Sequence, residues 1–133
     1  MTNKQIDKQI DRTDRQNNRT CGTFYEEKAA AYLQENGLQI LEKNFRTRFG
    51  EIDLVAKEGS TIVFIEIKYR RDNSKGYPEE AVGYRKQQKI SKVSDYYRMK
   101  HQISEFQAVR FDVIGICGEE MAWTKNAFTY MGR

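Results

Sequence analysis

Gly50-Glu51-Ile52-Asp53-Leu54-Val55-Ala56 and, a short interval later, Val63-Phe64-Ile65-Glu66-Ile67-Lys68 decide how this chain is read. Residues 51–57 and 61–69 are rich in β-branched and aromatic side chains and flank Lys57-Glu58-Gly59-Ser60, so they read as two strands of a hairpin. With Gly59-Ser60 as a two-residue type II′ turn, Gly first, Glu58 faces Thr61. Counting outward from that pair sets Asp53 opposite Glu66 and Glu51 opposite Lys68, with directly opposed Cβ atoms about 4.5–5.5 Å apart. A four-residue loop from Lys57 to Ser60 would move the partner by two and keep the face. Only an odd loop would part the carboxylates, because side chains alternate with period two.

On this count Ile52, Leu54, Ala56, Val63, Ile65 and Ile67 point one way. Val55, Ile62 and Phe64, followed by Glu51, Asp53, Glu66 and Lys68, point the other. Both faces are largely apolar, which is the pattern of strands covered by helices on two sides. Two carboxylates buried a few ångströms apart have raised pKa values unless a cation lies between them. Lys68 is one such cation and a divalent metal is another, since Mg²⁺ favours one or two carboxylates with waters and substrate phosphates. The plainer alternative is an ion-pair network that fixes strand register. Desolvation makes such networks seldom net stabilising, and perturbed carboxylates cluster at functional sites, so the pattern points to a site.

The chain has 133 residues, two cysteines, one histidine and a net charge of +4. That length predicts one domain with a proper core. No apolar run is long enough to span a bilayer and no secretory leader pattern is present, so a cytoplasmic protein with no membrane partner is expected. Residues 1–20, almost all polar or charged, read as a flexible tail ahead of a domain at 21–133. Cys21 and Cys117 show no metal-ligand spacing and are expected as free thiols. A lone His101 excludes His-rich metal sites and leaves no Ser-His triad. Residues 66–100 hold ten Lys or Arg against five Asp or Glu, whereas 21–65 are acidic by two. A basic stretch beside an acidic pocket suits a polyanionic substrate. A solvated helix face explains the charge alone equally well.

Outward from the hairpin, Thr20 or Thr23 caps a predicted helix to about Glu35, closed by Asn36-Gly37. Glu26 shares its face with Ala29, Ala30 and Leu33; a site carboxylate and an early-turn Glu interacting with the helix dipole fit this spacing equally. Leu38 to Phe45 reads as a strand. Tyr69 to Tyr77 reads as a charged loop, and Pro78-Glu79-Glu80 opens a second helix to about His101. Lys86 interrupts that helix's inward stripe of Val82, Ile90, Val93 and Tyr97, either snorkelling to solvent or reaching a bound phosphate. Arg110 to Cys117 is a further strand and Glu120 to Thr124 an edge strand. The order α-β-β-β-α-β-β gives a mixed α/β domain with helices packed on a central sheet.

An Asp on one strand and Glu-x-Lys on the next, after a helix bearing Glu, resembles the PD-(D/E)XK nuclease superfamily. More closely, the chain resembles the small bacterial YraN-like family within it. The resemblance rests on Gly22-x-x-x-Glu26-x-x-Ala29-x-x-Tyr32-Leu33, Asn44, Gly50-Glu51-Ile52-Asp53-Leu54, Val63-Phe64-Ile65-Glu66-Ile67-Lys68-x-Arg70, Lys86 and Arg110-Phe111-Asp112. It covers nearly everything from Gly22 onward. Ile52 stands where the superfamily has Pro, a position that is often degenerate. The placement of Glu26 and the two strands is also similar to archaeal-type Holliday junction resolvases.

That resemblance implies a restriction-endonuclease-like α/β/α sandwich with a central mixed sheet. It implies Asp53 and Glu66 as ligands of Mg²⁺ or Mn²⁺, helped by the Ile67 carbonyl, with Lys68 orienting the attacking water and Glu26 at the rim. Lys86 and Arg70 would contact phosphates flanking the cut, with Arg48 and Lys89 as further nucleic-acid contacts. The implied activity is metal-dependent hydrolysis of DNA phosphodiesters, with branched or damaged DNA among the substrates and a homodimer as the resolvase-like assembly. The alternative is a nucleic-acid-binding module that keeps the fold and does not cut, since a fold alone does not establish chemistry.

Overall fold

Gly59, at φ 59, and Ser60, which is not left-handed, close the hairpin as a type II′ turn requires, and Glu58 pairs with Thr61. The computed structural model describes residues 23–70 and 82–131. The expected tail at 1–20, Cys21, residues 71–77 of the charged loop, and Pro78-Glu79-Glu80 lie outside them.

Among the described residues helix α1 (23–35) comes first, followed by strands β1 (Gln39–Thr47), β2 (Gly50–Glu58) and β3 (Thr61–Arg70). Helix α2 (Tyr84–Lys100) precedes β4 (Val109–Cys117) and β5 (Glu120–Phe128). The strands form one mixed sheet in the order β1-β2-β3-β4-β5, in which β3 and β4 alone run parallel. A parallel neighbour needs a crossover, and the segment containing α2 supplies it.

Among the described residues a helix covers each face of the sheet, as the two-sided apolar pattern predicts. Ala29, Ala30 and Leu33 of α1 pack with Leu54, Ala56, Val63, Ile65, Ile114 and Ile116. Ile90, Val93 and Tyr97 of α2 pack with Val55, Ile62, Phe64, Phe111 and Val113. The α/β/α layering expected of a restriction-endonuclease-like fold is therefore present.

Three expectations need correction. Ile52 packs under α2 with Phe45 and Val55, not on the α1 face with Leu54. Asn44, at φ 55 in the left-handed region, stands across from Asp53 between the paired residues Lys43↔Leu54 and Phe45↔Ile52, and that local turn reverses the facing of what precedes Leu54. Helix α2 starts at Tyr84, because Val82 and Gly83 are extended (Gly83 φ −74, ψ 169) and Gly is a costly helix residue. Strand β5 continues past Thr124 to Phe128, with a bulge opposite Phe111–Val113 and Asn126 at φ 53.

Candidate active site

Pairing between β2 and β3 runs from Glu58↔Thr61 to Leu54↔Ile65. Beyond it β2 continues beside β1 as far as Gly50, and β3 continues beside β4 as far as Arg70. The two strands thus fork at Asp53 and Glu66. The Asp53 side chain fills the fork, its Oδ2 accepting the Ile67 amide at 2.8 Å. Gly50, at φ 147, begins β2 at the open end, a conformation L side chains rarely adopt.

Asp53 and Glu66 do meet. Burial pushes the Asp53 carboxyl up, while the Ile67 amide and a hydrogen bond with Glu66 hold it down. Glu66 is 6% exposed, and burial, with Asp53 beside it, pushes its carboxyl up to about 7. Lys86 Nζ lies 3.3 Å and Lys68 Nζ 4.0 Å from the same Glu66 Oε1, and both oppose the rise.

Glu26 joins from α1. Burial raises its pKa, Asn44 lowers it by donating from Nδ2 to Oε2, and the charges of Asp53 and Glu51 raise it. Asn44 ties Glu26 to β1, within electrostatic range of Asp53 and Glu51. Asn44 is the residue whose role spacing did not show, although it belongs to the quoted resemblance. Its signal was an Asn inside a strand, a residue type that tolerates the left-handed conformation it adopts.

The other expected residues divide. Lys86 neither simply snorkels nor waits for a ligand, since it pairs with Glu66. Glu51 does not pair with Lys68; its ion partner is Arg46 of β1 at 3.1 Å, because β2 stays with β1 once it has left β3. Arg70 ends β3 alongside Cys117. Arg48 lies in the β1–β2 turn with its guanidinium carbon 4.9 Å from the Phe49 ring, and Lys89 is exposed on α2. Lys92 Nζ also sits 3.9 Å from Phe49, whose ring stacks on Tyr96.

Among the described residues no three His, Cys, Asp or Glu side chains converge as a preformed metal cluster. Asp53 and Glu66 offer two adjacent carboxylates with raised pKa values, a donor set of the size Mg²⁺ uses when waters and phosphate oxygens complete its shell. A cavity of about 550 Å³ lies elsewhere, lined by Asp95, Arg98, Met99, Gln102 and Tyr130 among others. A second buried acid, Asp112, is fully paired. It accepts Arg110 at 2.8 and 2.9 Å, Trp123 Nε1 at 2.9 Å and the Asn126 amide at 2.9 Å, while Arg110 also bonds Glu58. Nothing is left over for a ligand there, so Asp112 reads as structural. Cys117 is free, and no helix among the described residues is long and apolar enough to cross a membrane.

Fold and site define an α/β protein of restriction-endonuclease-like architecture with a buried carboxylate pair at a strand fork, flanked by lysines. The family described as Uncharacterised protein family UPF0102 matches residues 25–116, and the chain belongs to that family, the YraN-like group. It is 44% identical to a UPF0102 protein of Lachnoclostridium phytofermentans over 87% of this chain and 98% of the relative. A UPF0102 protein of Syntrophus aciditrophicus is 50% identical over 76% of this chain and 78% of its own. One from Persephonella marina is 45% identical over 77% and 88%.

Proposed function

We propose that the chain is a cytoplasmic deoxyribonuclease that hydrolyses DNA phosphodiesters with Mg²⁺ or Mn²⁺, branched or damaged DNA being candidate substrates and a homodimer the candidate assembly. The observation that carries this reading is the contact of Asp53 with Glu66 at the fork, with Lys86 and Lys68 converging on one oxygen of Glu66. Two acids with raised pKa values and adjacent cations suit a site that exchanges a proton for a metal and then meets a phosphate. A free Cys117 fits a reducing compartment.

Asp53 and Glu66 would hold the ion, which supplies charge stabilisation at phosphoryl oxygen and a more acidic water. Lys68 would orient that water and offset charge developing on the phosphate. Lys86 would turn from Glu66 to a phosphate flanking the cut, with Arg70, Arg48 and Lys89 extending the track. Glu26, set by Asn44, would hold a water at the rim.

A non-cutting nucleic-acid module is favoured by one observation: Lys86 already offsets the Glu66 charge, so the site is paired without metal. Incubation with duplex, single-stranded, flapped and four-way DNA in Mg²⁺ or Mn²⁺, beside Glu66→Gln, separates the two. Metal-dependent products that vanish in the variant are expected. Binding to every substrate with no product from any of them would leave the module standing and end the nuclease reading.

A further inference from the structure

On the α1 face of the sheet, α1 and β3 meet in a row of aromatic rings. Tyr25 stacks on Tyr69 with centroids 4.1 Å apart and planes at 23°, and Phe24 stands edge-on to Tyr25 at 5.3 Å. The outer members are open to solvent, Phe24 at 52% and Tyr69 at 42%. Lys28 Nζ lies 5.0 Å from the Phe24 ring. Tyr25 precedes Glu26 on α1, and Tyr69 follows Lys68 on β3 but turns to α1, on the face of the sheet opposite Glu66 and Lys68.

The core beneath α1 does not need this row. Tyr25 packs against that core, whereas Phe24 and Tyr69 lie outside it. Single exposed apolar side chains are ordinary, but a contiguous exposed row marks recognition. Flat π-faces beside a cation match one chemistry well: an unpaired nucleobase stacks on the ring while its phosphate meets the positive charge of Lys28. An intact duplex keeps its base faces inside the helical stack and presents phosphates and groove edges.

We propose that Tyr69, backed by Tyr25 and flanked by Phe24, is a stacking platform for an unpaired base, so that the chain takes nucleic acids with a single-stranded segment. This rests on the nucleic-acid reading above and narrows its substrate class.

The test is binding in EDTA, where no cutting intervenes, of a labelled oligothymidylate and of a hairpin duplex at matched salt. Tyr69→Ala is expected to weaken single-strand binding about tenfold and leave duplex binding unchanged, as loss of one base stack would. Tyr69→Phe keeps the ring and should retain affinity, whereas Tyr69→Leu keeps apolar bulk without a planar face and should not. A 2-aminopurine base in the strand should lose fluorescence on binding to wild type and to Tyr69→Phe, but not to Tyr69→Leu. Should Tyr69→Ala fail to fold, Tyr69→Leu and Phe24→Ala carry the same comparison. Equal loss on both nucleic acids, no loss, wild-type preference for duplex, or binding of neither would overturn the platform. A chain that stacks single strands yet cuts nothing in Mg²⁺ or Mn²⁺ would end the nuclease reading alone. One that cuts DNA while Tyr69→Ala binds like wild type would end the platform alone.

Discussion

Lys86, from helix α2, holds its ammonium 3.3 Å from Glu66 Oε1, closer than Lys68, the strand neighbour of that carboxylate, at 4.0 Å. Two cations on one oxygen would ordinarily hold an acid well ionised. Here burial and the adjacent Asp53 outweigh them, and the Glu66 pKa still rises to about 7. The lysines temper the rise without abolishing it, which leaves Glu66 poised to lose its proton near neutral pH.

Removing the nearer cation should expose that balance. In Lys86→Met the Glu66 midpoint is expected to move above about 7, and in Lys68→Met to move up by less. Carbon-detected titration of the Glu66 carboxyl reads both values directly. An unmoved midpoint in Lys86→Met would remove Lys86 as the partner of this acid.

Stability should carry the mark of the same group. Glu66 has a folded-state pKa of about 7 against an ordinary 4.5, so between those values the folded chain binds the extra proton. Its contribution is therefore greatest below about pH 4.5 and is lost as pH rises through about 7, a cost of roughly 3 kcal/mol at the upper end. Glu66→Gln cannot titrate, so it should unfold at higher urea than wild type at about pH 8, with the gap closing at about pH 5. A gap that widens towards low pH would contradict this assignment.

Asn44 joins two roles, a left-handed backbone at φ 55 and a hydrogen bond to Glu26. Asn44→Ala should lose both, destabilising the chain by about 1–2 kcal/mol and raising the Glu26 pKa further. Asn44→Gly keeps the backbone conformation and should raise the Glu26 pKa while recovering most of the stability. Urea unfolding together with Glu26 titration makes the separation. Equal destabilisation in Ala and Gly would show that the backbone strain is unimportant.

Two acids of the sheet, Asp112 and Asp53, should respond oppositely to neutralisation. Asp112 is 0% exposed and bound to Arg110 through both oxygens, so Asp112→Asn removes the buried charge from Arg110, leaving it Glu58 alone, and should cost about 3 kcal/mol. Asp53→Asn relieves crowding of like charges with Glu66 and Glu51 and should leave stability close to wild type or above it. Chemical denaturation of the two variants side by side is the check, and comparable losses would erase the distinction between structural and site acid.

Much of the hairpin was legible because its determinants are local. Gly59 selects the turn, the turn selects Glu58 opposite Thr61, and period-two alternation carries Asp53 to Glu66. The same count failed at Glu51, where it assumed that the strands stay paired. They part after Leu54↔Ile65, and Glu51 turns to Arg46. It failed at Ile52 as well, because Asn44 across from Asp53 changes the facing of the strand. Helix limits were legible to within a turn at α1, with its closing Asn36-Gly37, while Gly83 moved the start of α2.

By itself, then, the sequence determined the order of elements, the two apolar faces and the opposition of two acids across a turn, all of which follow from hydrogen-bond periodicity over short chain distances. Only the tertiary structure decided which cations answer those acids. Lys86 reaches Glu66 because α2 is pressed onto the sheet through Ile90, Val93 and Tyr97, and Glu26 comes within electrostatic range of Asp53 because Ala29, Ala30 and Leu33 seat α1 on the opposite face. Burial then raised the pKa of both carboxylates, since desolvation belongs to the packed environment and not to any residue alone.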